Sequence, residues 1–133
     1  MGKATIAYAT TVVVFLGADF IWLSAMGRSF YRAHLDHLMA EKPILWAAGI
    51  FYVIYSVGVL LLVLRPALAS ESVQQALVTG AILGLVAYAT YDLTNQATLR
   101  DWPLLVTAVD LLWGTVLTGV ASAIGVWVAG KVS

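Results

Sequence analysis

The chain has 133 residues, 62% of them hydrophobic and 11% charged, with seven basic and seven acidic side chains and no net charge. Soluble domains carry about 25% charged residues, so this chain has too few to coat a globule in water. That excludes a soluble enzyme and a disordered chain, and zero net charge excludes a nucleic-acid binder, which needs a basic excess. The absence of cysteine excludes disulfides, thiolate metal sites and cysteine catalysis. What remains is an integral membrane protein, read as a single domain over residues 1–133.

A transmembrane helix needs about 20 consecutive, mostly apolar residues. Four stretches meet that requirement, at about 5–26, 44–64, 73–94 and 103–128. No period-two alternation marks a lipid-facing strand, so the expected fold class is all-α, a polytopic four-transmembrane-helix bundle of antiparallel neighbours. The first stretch is too long for a cleaved signal peptide, holds an acid and lacks an A-x-A site after it, so it reads as a retained helix.

Punctuation residues support the divisions. Gly27 follows the first span, Lys42-Pro43 opens the second, and Arg65-Pro66 is expected to close it, since proline cannot continue a helix. Ser70 and Ser72 are candidate N-caps for the third span. Asp101 is a candidate N-cap for the fourth, with Pro103 in its first turn. Trp46, Trp102 and Trp127 fall near span ends, where aromatic belts form. Between the first two spans, Phe30, Tyr31, His34, Leu35 and Leu38 recur at helical spacing, which predicts a short interfacial helix within residues 28–42. The terminal side carries three basic residues (Lys3, Arg65, Lys131) and the other side four (Arg28, Arg32, Lys42, Arg100). A difference of one does not orient the chain by the positive-inside rule.

The main functional signal is lopsided polarity. Asp19 lies seven residues before Met26 and Asp110 seven after Pro103, which puts both about 10 Å below one membrane face at ~1.5 Å rise per residue. Asp92 lies near the exit of the third span on that face. Trp22 and Trp113 each follow an acid by three residues and share its helix face. Because the two helices run in opposite directions, Trp22 is expected shallower and Trp113 deeper. Tyr88, Tyr91 and Asn95 surround Asp92, Thr107 precedes Asp110 by three, and Tyr52 and Tyr55 fall in the same half. The other half is almost purely aliphatic. An Asp at a helix centre costs roughly 2.5–3.5 kcal/mol on insertion scales, and three at one depth point to a ligand- or proton-binding site of Asp19, Trp22, Tyr88, Tyr91, Asp92, Asn95, Asp110 and Trp113. The plainer alternative is that these groups only hydrogen-bond across helices and fix the packing.

Gly80 and Gly84 form a G-x-x-x-G on the third span, and Gly114 and Thr118 begin a small-residue ridge on the fourth. Such residues permit close helix approach, within one copy or in a homodimer or larger membrane complex. His34 and His37, with Asp36 between them, have metal-ligand types and a spacing that suits one helix face, but two exposed histidines usually bind nothing, so no metal is assigned. Phosphate-loop, zinc-protease and nucleophile-elbow motifs are absent, and nothing marks a nucleotide, haem or flavin, so no cofactor is expected.

The segments Tyr91-Asp-Leu-Thr-Asn95, Ala97-Thr-Leu99, Trp102-Pro103, Val109-Asp110 and Trp113-Gly114, with Asp19 and Trp22, resemble a bacterial family of small four-helix membrane proteins known only as a domain of unknown function. The resemblance covers the whole chain. It implies a multi-pass protein of the bacterial inner membrane with a polar site built from these residues, and it implies no activity. Three functions stay open. The first is binding or transport of a proton, cation or small amphipathic ligand. The second is acid/base enzymology on a lipid or isoprenoid, without a nucleophile inside the spans. The third is an accessory or scaffold role. Membrane lipid is the partner common to all three.

Overall fold

A computed structural model describes residues 2–132. They form four helical rods, each long and apolar enough to cross a membrane: Gly2–Leu35, Leu45–Ala69, Val73–Thr98 and Leu104–Val132. Helices suit this sequence because each satisfies its own backbone hydrogen bonds where no water is present. No strand occurs among the described residues.

The first rod comprises α1 (Gly2–Met26), a widened turn (Gly27–Tyr31) and α2 (Arg32–Leu35). Gly27 therefore does not end the helix. The helix expected between the first two spans is present as α2, but it is short and continuous with α1 rather than detached from it. The N–H of Arg32 bonds the carbonyl of Gly27, five residues back, so this turn holds one residue more than an α-helical one.

The second rod has the same construction: α3 (Leu45–Val59), a widened turn (Leu60–Leu64) and α4 (Arg65–Ala69). Arg65-Pro66 does not close the second span as expected. Proline lacks the N–H and crowds the carbonyl four residues earlier. The wide turn just before it, with Arg65 N–H on Leu60 O, absorbs both effects, and the helix runs on to Ala69.

α5 (Val73–Thr98) starts on Ser72, whose hydroxyl accepts from the N–H of Gln75 at 3.0 Å. Ser70 plays no such part and sits at the end of α4. α6 (Leu104–Val132) is not capped by Asp101. That residue lies in the left-handed region, φ 61°, and the Pro103 carbonyl accepts the first N–H groups, those of Val106 and Thr107. Trp102 is no belt residue either. It is 7% exposed, and its Nε1 donates to Thr107 Oγ1 at 3.0 Å. Thr107 Oγ1 donates to Gln96 Oε1 at 2.8 Å, and Gln96 Nε2 donates to the Trp102 carbonyl at 2.8 Å. This closed ring of three bonds pins the α5–α6 connection. Trp46, at 73% exposure, does face outward.

α6 is the central helix, with buried residues along its length from Val106 to Ala129. α5 packs against it most closely and α1 on another side. A Cβ built on Gly84 would overlap the Gly114 carbonyl, and one on Gly80 would lie 2.9 Å from the Thr118 carbonyl. The two small-residue ridges thus meet each other, backbone against backbone. Gly125 leaves room for the Thr11 side chain and the Ala7 carbonyl of α1.

α3 stands further off and approaches the bundle backbone mainly through the turn at 60–64. Long polar side chains span the gap. Tyr8 and Ser56 hydroxyls are 2.9 Å apart, and Tyr55 and Thr118 hydroxyls are 2.7 Å apart. The apolar core, including Phe15, Val59, Val63, Leu64, Leu117, Ala121 and Val126, fills the end away from the acids.

Candidate functional site

Asp19 on α1 and Asp110 on α6 both point inward, each 7% exposed. Each is held by neutral donors. Asp19 Oδ2 accepts from the Tyr52 hydroxyl of α3 at 2.5 Å, and its Oδ1 from Trp113 Nε1 of α6 at 3.3 Å. Asp110 Oδ1 accepts from the Tyr31 hydroxyl at 2.5 Å, and the Tyr31 hydroxyl oxygen in turn accepts from Trp22 Nε1 of α1 at 2.9 Å. The pairing is crossed: the α1 acid takes the α6 tryptophan, and the α6 acid is reached by the α1 tryptophan through Tyr31.

Trp22 and Trp113, expected from the sequence at different depths, come into direct contact. Their rings stack, 4.2 Å between centroids and 8° from parallel. Side chains on a helix lean toward its N-terminus. The two helices are antiparallel, so the shallower Trp22 leans inward and the deeper Trp113 leans outward, and the rings meet.

Tyr31 reaches this cluster because of the wide turn. At ~100° per residue, a position nine residues after Trp22 would lie about 180° around the helix from it. One extra residue in the turn cancels roughly 100° of that rotation and returns Tyr31 to the Trp22 side.

Between these side chains lies a cavity of about 460 Å³, lined by Asp19, Trp22 and Leu23 of α1, Tyr31, Phe51 and Tyr52 of α3, Ala87, Tyr88 and Tyr91 of α5, and Asp110 and Trp113 of α6. Tyr88 has its place because Gly114 leaves one: a Cβ there would overlap the Tyr88 ring. Phe51 and Tyr91 are largely exposed and form the outer rim, between α3 and α5. Tyr91 also packs edge-on against Trp102, 5.7 Å between centroids.

Six of the eight proposed site residues line this cavity, namely Asp19, Trp22, Tyr88, Tyr91, Asp110 and Trp113. Asp92 and Asn95 do not. Asp92 is 0% exposed and lies behind the cavity wall, where it meets the carboxyl of Asp110. Asn95 interacts with Tyr91 one turn along. Tyr31 and Tyr52, the donors to the two acids, were not among the proposed site residues. Tyr52 carried a signal, since it falls in the acid-bearing half of the second span.

Among the described residues no basic side chain pairs with these acids. The single ion pair among the described residues joins Arg32 and Asp36 on the surface. No three metal-ligating side chains converge among the described residues, and the His34 ring instead packs 4.7 Å from Phe30.

A family model for predicted membrane proteins matches residues 4–127. The chain belongs to that family, DUF2177. No curated protein and no solved structure matches the chain. The matched range reaches into all four rods and includes every residue of the cavity lining.

Proposed function

We propose that this chain binds a small amphipathic cation in the Asp19/Asp110 cavity, as the recognition step of a membrane carrier. One observation carries the reading: two inward carboxylates share an aromatic-walled cavity with no basic partner. Neutral O–H and N–H donors orient the carboxylates without cancelling their charge. In a low-dielectric site an uncompensated negative charge is costly, and a cation relieves it. The walls favour an organic cation over a hydrated metal ion. A cation over an aromatic face gains about 0.5–2 kcal/mol, and Trp22, Trp113, Tyr52 and Tyr88 offer several faces. The outer rim lies where a ligand dissolved in the membrane would arrive. As a carrier, the chain would act as one four-helix unit in the bacterial inner membrane. It would work as a homodimer, since one copy has its cavity at one end and a packed aliphatic half at the other.

The test uses benzyltrimethylammonium and its neutral carbon isostere, neopentylbenzene, with the protein in lipid nanodiscs. The cation should quench tryptophan fluorescence saturably, and Asp19→Asn or Asp110→Asn should weaken its binding by at least about tenfold, roughly 1.4 kcal/mol. Equal binding of cation and isostere, or unchanged binding in both variants, would refute the reading.

A further inference from the structure

Behind the cavity wall, Asp92 of α5 is fully buried, and neither of its carboxyl oxygens receives an N–H or O–H from a described residue. The polar group it meets is the carboxyl of Asp110. Asp110 therefore has two neighbours of different kind: the Tyr31 hydroxyl, at the cavity, and the Asp92 carboxyl, on the sealed side. Two carboxylates in contact, with no donor and no cation between them, repel. A single proton between them turns the repulsion into a hydrogen bond, with the O–H of one carboxyl donating to the other. The site's buried orphan and its ligand-facing acid are thus joined through one shared position.

We infer that the Asp92–Asp110 pair holds one exchangeable proton and releases it when a cation occupies the cavity beside Asp110. This inference rests on the cation-binding reading. The balance is simple: the protein with its proton plus one cation gives the occupied protein plus one free proton, with no change in total charge. The cation takes over the charge compensation that the proton supplied, so proton and cation compete for the same carboxyl pair. The titratable groups around the pair are Asp19 on α1, Tyr31 in the wide turn, and Tyr88 and Tyr91 on α5, while Tyr52 of α3 bonds Asp19. None is basic, so no fixed cation on a neighbouring helix competes for the role.

The sign follows from linkage. If one proton leaves per cation bound, affinity rises about tenfold per pH unit wherever the pair still holds its proton, and levels off once it is lost. The experiment is calorimetric titration of wild type in nanodiscs with benzyltrimethylammonium, in two buffers of different ionisation enthalpy, repeated on Asp92→Asn. Wild type should release close to one proton per cation, and Asp92→Asn should bind the cation with little or no release. In parallel, the infrared difference spectrum of wild type should lose a protonated-carboxyl C=O band on binding, a readout that holds even if the variant does not fold. Binding without proton release, or without loss of that band, overturns the inference and leaves the cation site standing. Release from Asp92→Asn equal to wild type also overturns it. Failure of wild type to bind the cation at all overturns both.

Discussion

The backbone contact of α5 on α6 predicts opposite effects for one substitution at two glycines. Gly84→Ala adds a Cβ that overlaps the Gly114 carbonyl and lies 2.9 Å from the Thr118 Cβ. The main obstacle is backbone, so no rotamer change relieves it, and α5 must move away from α6. Overpacking of this kind costs about 1–3 kcal/mol, while alanine in place of glycine inside a helix returns about 1 kcal/mol. The expected net effect is a loss of up to about 2 kcal/mol. Gly17→Ala, on α1, meets nothing within 4 Å and should keep the propensity gain, up to ~1 kcal/mol. Reversible unfolding in mixed micelles of dodecyl maltoside and SDS, followed by circular dichroism, gives both values. A Gly84→Ala protein as stable as Gly17→Ala would mean that the α5–α6 approach is not as close as described, and the placement of Tyr88 over Gly114 would fall with it.

Tyr31→Phe removes a hydroxyl that both donates to Asp110 and accepts from Trp22, whereas Tyr52→Phe removes a single bond to Asp19. Interhelical hydrogen bonds in membranes average about 0.6 kcal/mol and reach ~1.7, so Tyr31→Phe should cost about 1–2 kcal/mol and Tyr52→Phe less, by the same unfolding assay; the reverse order would contradict the geometry. Thr107→Val keeps the side-chain shape but breaks the ring through Trp102 and Gln96. It should raise amide exchange over residues 99–106 without affecting α1, and unchanged exchange would show that the ring does not hold the connection.

The four-rod architecture was legible in the sequence because it follows from averages. Long apolar runs need internal backbone hydrogen bonds in a membrane, and the inward direction of Asp19 and Asp110 follows from the cost of a lipid-facing carboxylate. Seven-residue spacings from two span ends put those acids at one level, and the Gly80/Gly84 and Gly114/Thr118 ridges marked where helices could approach.

Tertiary structure decided what depends on rotation and lean. The wide turn at Gly27–Tyr31 shifts every later side chain on the first rod around its axis. No local propensity announces such a turn, so Tyr31 as the donor to Asp110 was not readable. The wide turn before Pro66 carries the second helix past a residue that ordinarily ends one. The Trp22–Trp113 stack comes from side chains leaning toward opposite ends of antiparallel helices, which counting Cα heights misses. Asp92 separated from Asp19 for a related reason. Sequence gives a depth for each acid, but only the packing of α5 on α6 turns one toward a cavity and the other into the wall behind it.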